Sequence, residues 1–414
     1  MQTALADFIR DTPDGREADA ILRACVHCGF CTATCPTYQL RGDELDGPRG
    51  RIYLMKQVLE GAEPTRTTQL HLDRCLTCRS CETTCPSGVR YGRLLDIGRR
   101  VVEQKVGRTA GERATRWGLR RALLSGSLFS GAVAFGRAFK GLLPGDIGRK
   151  LPQALPAGAW PAPRHARKMI VLDGCVQPAL APNIDAATAR VLDRIGISLV
   201  RVAAGGCCGA LSYHLDAEEE ARTLMKRNID AWWPHLDRDT EAVVVTASGC
   251  GVMVKDYGYV FERDPAYAEK AARIASLARD PVEVIAAEWP RIAPKIAMDH
   301  GAQKVAFHPP CTLQHGMRLQ GAVEEILLAL GLELTPVRDK HLCCGSAGTY
   351  SVLQPEMANA LKTNKLAALT EGRPEVIATA NIGCMTHLAS GTRLPVRHWI
   401  EILDTRMVDS AEAR

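Results

Sequence analysis

The sequence predicts a multidomain chain. A mostly α-helical N-terminal part carries a duplicated cysteine run, and a pseudo-duplicated α/β region follows it with a repeated Cys…Cys-Cys-Gly…Cys pattern. Two observations predict this. Eight of the 16 cysteines lie between Cys25 and Cys85 in two copies of one spacing. Strand-length apolar runs alternate with helical periodicities only from Met169 onward. The length of 414 residues suits several domains, and 46% apolar with 24% charged residues is ordinary globular usage.

The composition also excludes classes. A net charge of +6 and 5% aromatic residues give neither a basic footprint nor a stacking platform for nucleic acid. The opening MQTALADFIRDTPDG carries Asp7, Asp11 and Asp14 and no apolar core of a secretory signal, so a cytoplasmic location with reduced thiols is expected. Cysteines this clustered are poor material for disulfide staples; metal ligation is the better reading.

Taken in order, residues 1–98 form the helical part. Glu17 to Cys25 and Gly50 to Glu60 show helical spacing, the second ended by Gly61. Residues 99–168 form a basic segment and linker. From Arg99 to Lys150 twelve Lys or Arg stand against Glu103, Glu112 and Asp146, and Ala122 to Gly136 is uncharged but shorter than a membrane span requires. Such a segment suits either docking on an anionic membrane surface or a partner, or a linker helix with a solvated basic face. Gly141 to Lys168, with five prolines and four glycines, reads as a linker.

Residues 169–298 and 299–414 are the two α/β repeats. Met169–Leu172, Ala242–Thr246, Lys304–Phe307 and Glu375–Thr379 read as buried strands; Asn183–Gly196, Gly321–Gly331 and Pro355–Leu369 read as intervening helices. Cysteines mark the repeat. Cys175 and Cys311 each follow a strand, and Cys207-Cys208-Gly209 and Cys343-Cys344-Gly345 each begin 32 positions later. Each half closes with a strand running into Gly-Cys, at Cys250 and Cys384. Strand carboxyl ends are where open α/β sheets bind ligands.

The N-terminal runs are Cys25-x2-Cys28-x2-Cys31-x3-Cys35-Pro36 and Cys75-x2-Cys78-x2-Cys81-x3-Cys85-Pro86. Three thiolates two residues apart can wrap one cubane, while the fourth is carried too far along and ligates the other cluster. On that rule Cys25, Cys28, Cys31 and Cys85 hold one [4Fe-4S] cluster, and Cys35, Cys75, Cys78 and Cys81 hold the second. Gly29 leaves room for close backbone approach. A pair of zinc sites fits less well, since zinc calls for two Cys-x2-Cys pairs rather than a repeated run of three with Cys-Pro. Two further candidate sets, for a cluster or zinc, are Cys175, Cys207, Cys208, Cys250 and Cys311, Cys343, Cys344, Cys384; buried reduced thiols are the alternative. His27, His308, His315 and His341 lie beside cysteines and are expected as hydrogen-bond partners rather than ligands.

A two-cluster ferredoxin-type run followed by two Cys…CysCysGly…Cys repeats resembles the cysteine-rich iron–sulfur subunits that serve flavin dehydrogenases. The likeness is greatest to the glycolate oxidase (glycolate dehydrogenase) type and includes Pro48-Arg49-Gly50-Arg51-Ile52-Tyr53 between the runs. It implies an electron-transfer subunit without catalytic residues of its own, in an oxidoreductase complex. FAD-binding partner subunits oxidise glycolate to glyoxylate there, and electrons pass to a membrane quinone or other acceptor, which would bring peripheral contact with the cytoplasmic face of the membrane. No Gly-x-Gly-x-x-Gly opens a helix after a strand, so no flavin is expected in this chain. Related subunits serve anaerobic glycerol-3-phosphate and lactate dehydrogenases and heterodisulfide reductase. In the last, each repeat ends Cys-x2-Cys; here Met253 and His387 stand at those positions, against that chemistry.

Overall fold

The computed structural model describes residues 1–139, 156–236, 240–296 and 303–407. The chain divides into two compact units: Met1–Gly118 with His214–Asp216 and His341–Lys365, and Leu119–Tyr213 with Ala217–Lys340 and Leu366–Arg414.

The first unit is helical. Helices Pro13–Ala24, Pro48–Leu59, Arg66–Asp73 and Tyr91–Val106 enclose a core of Ile21, Leu22, Met55, Leu59, Leu94 and Leu95 among others. Local chemistry starts them. Thr12 accepts from the Gly15 amide, Pro48 occupies the first turn of its helix, and Thr65 and Thr68 cap each other reciprocally. Helices Pro48–Leu59 and Tyr91–Val106 pack closely because Gly98 lets the Met55 side chain lie against its backbone.

The second unit holds two four-stranded parallel sheets. The first contains β1 (Arg167–Val171), β2 (Ile197–Arg201), β3 (Thr240–Val244) and β4 (Ala278–Arg279) in the order β2-β1-β3-β4. The second contains β5 (Lys304–His308), β6 (Glu333–Leu334), β7 (Val376–Thr379) and β8 (Val396–His398) in the order β6-β5-β7-β8. The orders correspond strand for strand, as a duplication requires. One apolar core serves both sheets: Val171, Leu192 and Val244 belong to the same buried cluster as Val305, Leu327, Ala378 and Leu403. Ion pairs also join the halves, with Arg190 and Arg194 both 2.6 Å from Asp404.

The basic segment is helical and in part ion-paired. It folds as helices Ala110–Leu124 and Gly126–Ala138, so a break at Ser125 interrupts the uncharged run. Much of its charge is matched: Arg108 pairs with Asp73 and Glu103, Arg116 lies 3.5 Å from both Asp73 and Asp216, and Arg120 lies 3.3 Å from Glu220. No helix among the described residues is long and apolar enough to cross a membrane. The Pro/Gly-rich linker falls largely on 140–155, outside the described residues.

Candidate functional site

Both N-terminal cysteine runs fold the same way. His27 and Gly29 in the first run have φ of 57° and 83°; Thr77 and Arg79, fifty positions on, have 53° and 58°. These left-handed residues turn the backbone between successive cysteines so that neighbouring thiols face one side. A glycine takes that conformation freely, whereas Arg79 adopts it at a cost of about 1 kcal/mol. The run then enters a short helix whose first residue is Pro36, with Cys35 at its cap.

Two cavities result. The larger, about 430 Å³, is walled by Cys25, Cys28, Cys31, Cys81 and Cys85. The smaller, about 300 Å³, is walled by Cys35, Cys75, Cys78 and Cys81. The smaller takes three cysteines from the second run and Cys35 from the first; the larger takes three from the first run, with Cys85 and the shared Cys81 from the second. The electrostatics group the thiols identically. Burial, then Cys25, Cys28 and Cys85, push the Cys31 thiol up to about 11; burial, then Cys78, Cys75 and Cys35, push Cys81 well above its ordinary value. Four thiols held this close resist ionising together unless a cationic centre offsets their charge, and a metal cluster supplies one. The donor sets therefore fit two [4Fe-4S] clusters.

The walls carry hydrogen-bond donors. Tyr91 is buried, lines both cavities and donates to Cys75 Sγ at 3.6 Å. Arg99 holds the Leu72 and Cys75 carbonyls at 2.7 and 2.8 Å, fixing the entry to the second run. His27 packs on Met1 Sδ, in keeping with a supporting role.

The Cys175, Cys207, Cys208, Cys250 set converges within the second unit, past the carboxyl ends of β1, β2 and β3. Cys207 accepts hydrogen bonds from the Cys175 and Cys208 thiols, and Cys208 is also bonded to Cys250. Those two thiols, the Gly209 amide at 3.4 Å and the charge of Arg227 draw the Cys207 proton off most readily, so its pKa is lowered; Cys175 and Cys208, bonded to Cys207 and buried, are raised. The loop is pinned from below. Asn228 accepts from the Gly206 amide and donates to the Cys207 carbonyl, both at 2.8 Å, and Tyr257 donates to the Cys208 carbonyl at 2.9 Å. Asn228 and Tyr257 are residues that sequence reasoning missed; an apolar helix face gives no sign that a buried amide holds a cysteine loop.

Gly209 has φ of 89°, and a Cβ there would meet Ala221 O at 3.0 Å; Gly345 has φ of 90° and would meet Ala358 O at 2.5 Å. In both repeats the glycine of Cys-Cys-Gly thus lets the thiol loop rest on a helix backbone. Gly209→Ala is expected to cost about 2 kcal/mol or more through left-handed strain and this clash, read as a lower urea midpoint. An unchanged midpoint would refute the packing role.

The second set is placed in two compact units. Cys311, following β5, and Cys384, in helix Ile382–Ala389 following β7, are buried in the second unit; Cys384 Sγ accepts from Asn381 at 3.6 Å. Cys343 and Cys344 are buried in the segment His341–Lys365 of the first unit. Met253, at the position of an absent fifth cysteine, is buried among apolar neighbours.

Comparison with known proteins agrees with this layout. Residues 21–89 match the 4Fe-4S dicluster domain, and residues 169–255 and 305–389 each match the cysteine-rich domain. The chain is 56% identical over 405 residues to the glycolate oxidase iron-sulfur subunit of Escherichia coli (strain K12), covering 98% of both chains. It is 29% identical to a probable glycolate oxidase iron-sulfur subunit of Bacillus subtilis (strain 168), over 89% of this chain and 88% of the other. It is 31% identical to lactate utilization protein A of Bacillus velezensis, over 56% of this chain and 97% of that one. With a two-cluster domain ahead of two cysteine-rich domains and this identity along nearly its full length, the chain belongs to the family of glycolate oxidase iron–sulfur subunits.

Proposed function

We propose that this chain is the electron-transfer subunit of a flavin-dependent 2-hydroxy-acid dehydrogenase complex oxidising glycolate to glyoxylate. FAD-binding partner subunits would supply the electrons, and a membrane quinone or other acceptor would receive them. The observation that carries the reading is the pair of adjacent cavities with crossed cysteine walls. Cys25, Cys28, Cys31 and Cys85 would hold one [4Fe-4S] cluster, and Cys35, Cys75, Cys78 and Cys81 the other.

When bound, such clusters take up single electrons, which the two-electron oxidation of a hydroxy acid at a flavin needs as an outlet. The chain's own residues do the rest. The left-handed turns at His27, Gly29, Thr77 and Arg79 orient the thiolates. Ile52, Val89 and Tyr91 wall the larger cavity with apolar surface, which limits water. Cys81 and Tyr91 border both cavities, which keeps the two sites a side chain apart. The converging thiols of Cys175, Cys207, Cys208 and Cys250 support a further metal set, with Cys311, Cys343, Cys344 and Cys384 as its counterpart in the second repeat.

Iron, acid-labile sulfide and zinc per chain after anaerobic purification test this. About eight irons with equal sulfide are expected from the N-terminal runs alone, and about twelve or sixteen if one or both later sets are loaded. Zinc in place of iron would end the electron-transfer reading.

A further inference from the structure

The Pro48–Leu59 helix between the two runs sends one arginine to each cavity, and the two differ in kind. Arg49 lines the larger cavity, is 37% exposed, and is paired one-to-one with Glu44 at 2.6 Å. Its charge is offset and screened. Arg51 lines the smaller cavity and is 1% exposed. Its Nε donates to the His71 carbonyl at 2.7 Å and its Nη1 to Thr37 at 3.1 Å, while Nη2 has no hydrogen-bond partner among the described residues. The nearest carboxylate to Nη2 is Asp46, at 3.6 Å.

Asp46 cannot neutralise Arg51 alone. It is fully buried and shared: Arg74 lies 3.0 Å away, Arg41 3.1 Å, and His71 Nδ1 2.9 Å. Three guanidiniums gather at Asp46, and the Asp43 carboxylate lies within 4.8 Å of it, so three cations face two carboxylates and a positive excess remains beside Cys35 and Cys75. Burial opposes the Arg51 charge, yet Cys75, Tyr91, Cys35 and Asp46 hold it firmly protonated. Arg99, bonded to the Cys75 carbonyl at 2.8 Å, adds to the same side.

From this asymmetry we infer that Arg51 is a positioning residue for electrons: its buried charge sets the reduction potential at the Cys35, Cys75, Cys78, Cys81 site above that at the Cys25, Cys28, Cys31, Cys85 site. A site that gains one electron becomes more negative by one charge, with no bond made or broken, and a fixed cation in a low-dielectric wall favours that state. The electron comes from the reduced flavin of the proposed partner and settles first at the Arg51 site. The inference rests on the cluster assignment proposed above.

Redox titration followed by electron paramagnetic resonance tests it, with iron counted on each sample. The two N-terminal sites of the wild-type protein are expected to give two separate one-electron steps. Arg51→Gln is expected to move the upper step down toward the lower one and leave the lower in place, while Arg51→Lys, which keeps the charge, leaves both near their wild-type positions. Fully loaded Arg51→Gln with both steps unmoved overturns the inference; so does Arg51→Lys shifting as far as Arg51→Gln, which would assign the effect to the guanidinium fork and not to charge. If Arg51→Gln fails to retain iron, the wild-type titration decides. A gap between steps that persists from about 0.01 to about 0.5 M salt sustains a buried origin, and a gap that is absent or closes with salt removes it. A wild-type chain with fewer than about eight irons would instead fail the cluster assignment itself.

Discussion

Cys28→Ser and Cys78→Ser are each expected to remove about four irons per chain and to abolish dye-linked turnover of the complex, while the flavin-binding partners stay folded. Cys28 is exposed and Cys78 only half-buried, so neither change opens a core cavity; the replacement alters one sulfur atom and little packing. A serine hydroxyl does not ionise near neutral pH and is a poor substitute for a thiolate on iron. The two variants touch different cavities, so loss in both places both on the electron path. Full iron content, or unchanged turnover with a one-electron dye, would mean that electrons leave the flavin by another route.

Asp185→Asn is expected to stabilise the second unit by an amount that grows as pH rises. Asp185 is fully buried behind β1 and β3, accepting from Gln177 at 2.7 Å and Thr246 at 2.5 Å, with its second oxygen unbonded among the described residues. Burial pushes its pKa from 3.8 up to about 7. The folded state therefore holds this proton where the unfolded chain has lost it, so the carboxyl costs nothing below pH 3.8 and progressively more up to about 7. The full penalty is about 4 kcal/mol at neutral pH, and asparagine removes it. Asp280, buried and likewise pushed up to about 7, behaves the same way at the cap of helix Pro281–Ala287. Buried His398, whose pKa burial lowers to about 4, works in the opposite sense, destabilising the fold as pH falls from 6.5. The discriminating quantity is thus the difference between variant and wild-type urea midpoints at pH 4.5 and pH 8. A difference that stays constant with pH would show that Asp185 titrates normally.

The sequence made the central strands legible because β1, β3, β5 and β7 carry apolar residues facing both ways. It did not reveal β2, the five-residue strand after the first intervening helix, β4 and β6, which are two residues long, or β8, whose Val-Arg-His offers no apolar pattern. Cysteine spacing led to the expected grouping of Cys35 with Cys75 and of Cys85 with Cys25, since the reach of a short backbone is a local property, and the same residues share a cavity wall. The buried Arg51–Asp46 cluster was illegible for the opposite reason. A charged residue in an amphipathic helix reads as a solvated face, and only the packing of Thr37, His71 and Arg74 around it says otherwise. The ion pairs of the basic segment were illegible too, because its acidic partners Asp73, Asp216 and Glu220 lie far away in sequence.

Two sheets of identical strand order sharing one apolar core amount to a dimer whose protomers have been spliced end to end. A free dimer falls apart on dilution, but here each half meets the other at a concentration fixed by the connecting chain. The tether also removes the obligation of symmetry. A substitution in one half is not copied into the other, so the thiol set of Cys175, Cys207, Cys208 and Cys250 is free to diverge from that of the opposite half.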